Sequence, residues 1–298
     1  MKQKWNATHI PDMTGKTIII TGATSGLGKE ATRVLAGKNA TVIMAIRNLS
    51  KGESVKNEIL KEFSQAKISL IRLDLTSLES IHLFVNEFKQ KYNQLNILIN
   101  NAGIMACPYA TTDDGFEIQM GTNHLGPFAL TGLLMPMLRE TPNSRIVSTS
   151  SLTHKFGKID LSDINWNDRD YKTSQAYSDS KIANLYFMFE LARKYQSDSK
   201  APTITAAHPG WTETELQRHT GFISLFNKVF AQDVEHGTLP TLRAAIDENA
   251  TSGDYFGPKR FFELWGDPVL VKPNELSQNK EISQQLWKIS EDLTGVTY

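Results

Sequence analysis

The run Lys16-Thr-Ile-Ile-Ile-Thr21 leads without a break into Gly22-Ala-Thr-Ser-Gly-Leu-Gly28. Consecutive isoleucines between threonines specify a strand buried on both faces, which is the habit of parallel sheets covered by helices. The glycines permit a tight turn, and a helix is expected from about Gly26 to Lys38. Such a helix start presents unpaired backbone N–H groups and a positive dipole end to one point, a seat for phosphate. The spacing is G-x-x-x-G-x-G rather than G-x-G-x-x-G. The strand before it and the helix after it separate this motif from an ordinary glycine-rich turn. Gly22, Thr24, Ser25, Gly26, Leu27 and Gly28 are therefore expected to hold a dinucleotide.

The alternation continues down the chain. Strands are expected at Ala40–Ala45, Lys67–Leu73, Asn96–Asn100, Arg145–Thr149, Thr203–His208 and near Tyr255. Helices are expected at Leu49–Ser64, Ser77–Tyr92, Asp114–Leu138, Ser174–Tyr195, Glu213–Phe230, Val234–Asp247 and Lys280–Leu293. This order implies a parallel sheet between helix layers. No linker, repeat or low-complexity tract interrupts it. The fold class is α/β, one doubly wound domain over residues 1–298 with a sheet of about seven strands flanked by helices.

With 32 acidic and 32 basic residues, the chain carries no net charge to attract nucleic acid or an anionic membrane surface. The longest apolar tract, Leu125–Leu138, is broken by Gly126, Pro127, Thr131, Gly132 and Pro136 and is too short to span a bilayer. The first residues show no secretory signal. The single cysteine, Cys107, admits no internal disulfide, which suits a reducing compartment and a cytoplasmic location. It reads as a small wall residue rather than a nucleophile. The seven histidines fall in no ligand spacing, and no metal site is expected.

The end of the second strand decides which dinucleotide is bound. A site for NAD places Asp or Glu about 20 residues beyond the glycines, on the ribose 2′-hydroxyl. Here the stretch reads Met44-Ala-Ile-Arg47-Asn48, without a carboxylate and with a guanidinium available to a 2′-phosphate. NADP(H) is the expected cofactor; the plainer reading of Arg47 is a solvated surface cation. Asp74, followed by Leu75, ends the third strand. Its carboxylate can accept from an adenine amino group or cap the next helix. Asn100-Asn101-Ala102-Gly103 ends the fourth strand with small groups where backbone passes close to a ligand.

Tyr177 and Lys181 stand at i and i+4 of one expected helix and share a face. A free phenol titrates near ~10, and a neighbouring ammonium lowers that value by stabilising phenolate. The pair reads as a proton donor with its own activator, matched to hydride transfer at a carbonyl.

Thr21-Gly-x-x-x-Gly-x-Gly28, Asn100-Asn-Ala-Gly103, Asn123, Ser150-Ser151, Tyr177-x-x-x-Lys181 and Pro209-Gly210 stand in the order seen in short-chain dehydrogenase/reductases. From about Thr14 onward the chain resembles that family. Asn123-His-Leu-Gly-Pro-Phe128, Arg145-Ile-Val-Ser-Thr-Ser-Ser151, His208-Pro-Gly210 and Leu286-Trp-Lys-Ile-Ser-Glu-Asp-Leu293 are most similar to its retinol-dehydrogenase-like branch. The resemblance implies a Rossmann fold with a cofactor-binding and catalytic core at 14–210, and a substrate lid and C-terminal region at 211–298. It implies Tyr177 as general acid in reduction and base in oxidation. Ser151 would bond the substrate carbonyl, with Ser150 as the competing candidate. Asn123 would hold a water linking Lys181 to solvent; its plainer role is to kink or cap the long helix near Gly126-Pro127. Pro209, Gly210 and Thr214 would line the nicotinamide end. The stretch between Ser151 and Tyr177 is longer than in many members, and His154–Thr173 is expected beside the site. Asn96 stands where an Asp often precedes the fourth strand. No counterpart of the retinol dehydrogenases' membrane anchor is visible, so none is expected.

Beyond Gly210 come Trp211, Leu216, Phe222, Ile223, Leu225, Phe226, Val229 and Phe230. As a lid this segment implies a small hydrophobic carbonyl or alcohol substrate: an aldehyde, a ketone or a retinoid-like molecule. The equal alternative is a helix packed on the core or on a partner subunit. Asp114–Leu138 and Ser174–Tyr195 are surfaces on which family members dimerise, which leaves a homodimer open. Two other functions also stay open: a catalytically silent NADP-binding sensor or scaffold, and an NADP-dependent alcohol dehydrogenase of oxidative direction. The joint presence of Ser, Tyr, Lys and Asn argues against the first.

Overall fold

The computed structural model describes residues 4–212 and 232–298. Thr17–Thr21 (β1), buried throughout, pairs in parallel with Thr41–Ile46 (β2), which pairs with Lys67–Arg72 (β3). On its other side β1 meets Ile97–Asn100 (β4), followed by Arg145–Thr149 (β5), Thr203–Ala207 (β6) and Tyr255–Arg260 (β7), all parallel. Trp265–Leu270 (β8) returns antiparallel to β7. The order is β3-β2-β1-β4-β5-β6-β7-β8. It reverses between β1 and β4, and in such sheets ligands sit outside the carboxyl ends of the strands at that point. Asn96 helps set the β1–β4 register, since its Oδ1 accepts the Thr17 N–H at 2.9 Å.

Gly26–Gly37 (α1) and Leu49–Glu62 (α2) lie on one face of the sheet. Leu78–Lys91 (α3), Gly126–Glu140 (α4) and Thr173–Lys194 (α5) lie on the other. Val234–Ile246 (α6) returns to the first face and Lys280–Thr294 (α7) to the second. Alternate residues of β1 feed the two cores. Ile18 and Ile20 join Ala31, Leu35, Ile59 and Leu242, whereas Ile19 joins Phe84, Phe88, Phe128, Leu134 and Leu185. That is the period of two in a strand buried on both sides.

Among the described residues the sheet has eight strands, not the expected seven or so. β8 (WGDPVL) lacks a β-branched run, and Pro268 sits opposite Pro258; an edge strand tolerates prolines that an interior one would not. The helix expected over Asp114–Leu138 also starts later. Gly115 takes φ +84, and Asp114 Oδ2 accepts the Leu78 N–H at 2.8 Å, so that acidic stretch forms a turn against α3. A single α-turn, Ile118–Met120, then passes through a π-turn at Gly121–Leu125 before α4 begins. The helix expected at Glu213–Phe230 lies outside the described residues. Among the described residues no helix is long and apolar enough to cross a membrane.

The C-terminal helix finishes the second layer. Trp287 and Tyr298 close on Phe128 and Phe187, and the Tyr298 hydroxyl donates to the Phe128 carbonyl at 2.6 Å. Phe187 and Met188 are therefore core residues, and Phe189 is half-buried.

His124 lies in this layer. Ser290 Oγ already donates to the Leu286 carbonyl, so the imidazole must donate from Nε2 to reach Ser290 Oγ at 2.9 Å. Burial pushes the His124 pKa down to about 3, and that of buried His154 to about 4. Such histidines take up a proton on unfolding. The stability they contribute is present above the unfolded value of ~6.5 and is lost as pH falls through the folded values. Calorimetry should show Tm falling from pH 6.5 toward 4, with up to about 1.4 kcal/mol per pH unit from each histidine. His124→Leu should flatten that slope; an unchanged slope would contradict the assignment.

Candidate active site

The expected site residues among those described gather at the carboxyl ends of the strands. Thr21 ends β1. Its hydroxyl accepts the N–H groups of Asn101 (3.0 Å) and Ala102 (2.9 Å), and its carbonyl accepts Asn101 Nδ2 (2.9 Å). The turns after β1 and β4 are thereby tied together. Gly22, at φ +67, lets Ala102 Cα approach to 2.9 Å of where a Cβ would stand. A Cβ on Gly28 would overlap the Gly22 carbonyl and meet Asn101 Nδ2 at 2.5 Å. Ser25 is the N-cap of α1, yet its hydroxyl makes no capping bond, and the first-turn N–H groups remain directed at the cradle formed by Gly22, Thr24, Ser25, Gly26 and Leu27. This cradle suits a pyrophosphate in shape and in donors.

Arg47 follows β2 directly. It is exposed and makes no ion pair among the described residues. Asp74 does not cap α3; Ser77 does, by accepting the Ser80 N–H. Asp74 Oδ1 instead closes a local turn on Thr76, accepting its N–H at 3.1 Å and its hydroxyl at 2.7 Å. Leu75 is buried, with its carbonyl against Gly126.

Tyr177 and Lys181 project from α5 and are 8% and 4% exposed. The Tyr177 hydroxyl faces the Ser151 side chain, which favours its ionised form. Ser150 is committed elsewhere: its hydroxyl donates to the Lys181 carbonyl at 2.8 Å. Of the two serines, Ser151 is thus the one that faces Tyr177. Lys181 Nζ lies 5.5 Å from the centre of the Tyr177 ring and 3.1 Å from where a Cβ of Gly103 would be. Asn123 sits in the π-turn ahead of α4. Its Oδ1 accepts the Ile104 N–H at 2.8 Å, and its Nδ2 donates to the Ile104 carbonyl and to Ser180 Oγ, each at 2.9 Å. It staples the loop after β4 to the helix that carries Tyr177. π-turns inside helices are frequent at functional sites.

Burial sets the electrostatics. It pushes Tyr177 up to about 12, partly opposed by the Ser151 bond, and Lys181 down to about 8. Each group has lost the water that would stabilise its charge, so burial rather than the depression by Lys181 expected from the sequence governs Tyr177 here. Burial also raises the thiol of half-buried Cys107, which fits a wall residue and not a nucleophile.

Pro209 and Gly210 follow β6, with Gly210 at φ +68; the Pro209 carbonyl accepts from Thr212 Oγ1 (2.9 Å) and Gln232 Nε2 (2.6 Å). Thr214 and the apolar run after it lie outside the described residues. The segment His154–Thr173 packs on the start of α5: the Lys158 N–H donates to Asp179, and Tyr171 bonds Glu117 and Gln119. Sequence reasoning missed His154, Tyr255 and Glu263 behind the serines. His154, three residues past Ser151, carried a faint local signal; the other two carried none.

The sequence pattern of the short chain dehydrogenases matches residues 16–221. The chain belongs to the short-chain dehydrogenase family. It is 38% identical to retinol dehydrogenase 13 of Homo sapiens, over 95% of this chain and 85% of that one. It is 37% identical to retinol dehydrogenase 12 of Homo sapiens, over 95% and 88%. A crystal structure of a Mycobacterium paratuberculosis protein superposes with a TM-score of 0.84 at 38% identity, covering 99% of both chains. A Shigella flexneri short chain dehydrogenase complexed with NADP superposes with a TM-score of 0.66 at 25% identity, covering 82% of this chain and 97% of that one. As a retinol-dehydrogenase-like short-chain dehydrogenase, the chain is an oxidoreductase acting on CH–OH or C=O.

The Gly28 contacts give a direct check. Gly28→Ala should abolish NADPH binding, read by the fluorescence of bound NADPH, and lower Tm by breaking the Asn101 tie. Wild-type binding in that variant would refute the cradle.

Proposed function

We propose that this short-chain dehydrogenase transfers a hydride between NADP(H) and an apolar carbonyl or alcohol, with Tyr177 as general acid in reduction and base in oxidation. The observation that carries this reading is buried Tyr177 facing the Ser151 side chain, with the Lys181 ammonium 5.5 Å from its ring centre.

When bound, the nicotinamide donates or accepts the hydride. The chain's own groups manage the oxygen and the proton. Ser151 Oγ and the Tyr177 hydroxyl converge on one point, where a carbonyl oxygen accepts from both. Ser151 stabilises the charge that develops there, and Tyr177 delivers the proton. The Lys181 ammonium offsets the phenolate left behind. Asn123 keeps the wall between Ile104 and Ser180 closed, and so fixes where Tyr177 stands. In oxidation the same groups run in reverse, with tyrosinate taking the hydroxyl proton.

Arg47 supports NADP(H) over NAD(H): it is exposed, it follows β2, and no carboxylate stands beside it in Ala45-Ile-Arg47-Asn48. The names of the relatives support an apolar, retinoid-like substrate.

NADPH oxidation with all-trans-retinal, nonanal and small polar ketones tests the reading, with NADH in parallel. Apolar aldehydes should be turned over with NADPH; a preference for small polar ketones would defeat the apolar assignment. Tyr177→Phe should lower kcat by about 10²- to 10⁴-fold and leave the NADPH Kd unchanged. Arg47→Ala should weaken NADPH by about 1.5 to 3 kcal/mol while sparing NADH, and an unchanged ratio of the two would remove the case for NADP.

A further inference from the structure

The corner that carries Ser150 and Ser151 is held from behind by buried side chains that take no part in the hydride-transfer scheme. His154 is fully buried, and its Nδ1 lies 2.6 Å from the Ser151 carbonyl oxygen. A carbonyl only accepts, so Nδ1 carries the proton. Nε2 is then free to accept the Asn274 N–H at 3.4 Å. Burial keeps this imidazole neutral, so one tautomer holds one geometry. Tyr255, on β7, is also buried; its ring meets the His154 ring edge-on at 5.6 Å, and its hydroxyl lies 3.5 Å from His154 Nδ1. Ser150 Oγ donates to the Lys181 carbonyl at 2.8 Å. Tyr255 of β7 thus backs the imidazole that holds Ser151, and Ser150 ties the same corner to α5. The charged groups near it are already matched. His208 packs on Tyr255 at 5.3 Å and donates from Nε2 to Glu263 at 3.0 Å, and Glu263 pairs with Lys155 at 3.2 Å. Burial holds His208 down despite that carboxylate, so the contact is a neutral N–H to a carboxylate rather than an ion pair.

We propose that His154 and Tyr255 are positioning residues for Ser151: His154 pins its carbonyl and Tyr255 holds the imidazole from behind, so that the Ser151 hydroxyl stays on Tyr177. The proposal rests on the reading of Ser151 and Tyr177 given above. With the Ser151 carbonyl fixed by His154 and the Ser150 side chain fixed by the Lys181 carbonyl, little backbone freedom remains to turn Oγ away. Ser151 Oγ also accepts the Thr153 N–H at 3.3 Å, and a slackened corner would favour that local bond over the one to Tyr177.

The test uses the full chain saturated with NADP, with tyrosine labelled by ¹³C at the ring carbon bearing the hydroxyl. Tyr177 is assigned by its loss in Tyr177→Phe, and its titration is followed by NMR without any substrate. The Ser151 bond draws Tyr177 down, so Ser151→Ala should move its titration to higher pH. Tyr255→Phe, which removes one oxygen, and His154→Leu should move it the same way. His154→Asn, which keeps a donor near the Nδ1 position, should restore it. With all-trans-retinal, kcat should fall about ten- to a hundredfold in Tyr255→Phe and His154→Leu, with the NADPH Kd unchanged. If His154→Leu does not fold, Tyr255→Phe decides alone. If Ser151→Ala shifts Tyr177 but Tyr255→Phe leaves both the titration and kcat at wild-type values and lowers only Tm, the positioning role is overturned. If Ser151→Ala itself changes neither, the reading of Ser151 has failed.

Discussion

Thr21 ties two chain segments that would otherwise be free to separate. One hydroxyl takes two N–H groups from the turn after β4, and the carbonyl of the same residue takes the Asn101 side chain. The distance between the two turns is set by these bonds, because neither turn has side-chain bulk of its own to hold it. Gly103, two residues further on, has Asn123 Oδ1 and Lys181 Nζ against it. The glycine cradle and the groups proposed for proton transfer therefore share one thin wall of backbone. A substituent on either side of that wall is felt on the other.

Behind the wall, water is scarce. Burial favours the neutral forms of both Tyr177 and Lys181. A charge on either alone would be poorly solvated, whereas phenolate beside ammonium offsets part of that cost. Under the proposed scheme the two would act as a coupled unit. Among the described residues Ser151 draws Tyr177 toward ionisation, so small changes in its direction matter more than its size suggests.

Local pattern exposed most of the sheet. β1 to β6 lie within a residue or two of where β-branched runs ended in turn residues, and α1, α5 and α7 follow from periodicity and caps. The misses have local causes too. β8 is a proline-bearing edge strand whose only strong partner is β7. The late start of α4 depends on Asp114 reaching α3, a contact between distant segments that no window on the sequence contains. The same divide runs through the site. Gly22, Gly28, Tyr177 and Lys181 could be picked out because spacing alone places them, and the structure brings them to one end of the sheet. The preference for Ser151 over Ser150 gains a physical reason only from α5, since the Lys181 carbonyl takes the Ser150 hydroxyl. Asp74 was legible as a polar strand end, but its commitment to Thr76 was not.

The cover of α5 by α7 has a consequence for synthesis on the ribosome. Once β6 has emerged, the nascent chain holds the dinucleotide cradle and the Tyr177–Lys181 helix. Phe128 and Phe187 are still bare, because Trp287 and Tyr298 are not yet made. Tyr255, which engages the serine corner, is also missing at that stage. The intermediate would expose apolar surface on the helix that carries the proton-transfer pair, a state prone to aggregation. A chain of this kind would complete the surroundings of Ser151 and cover its last large apolar face in the same late step.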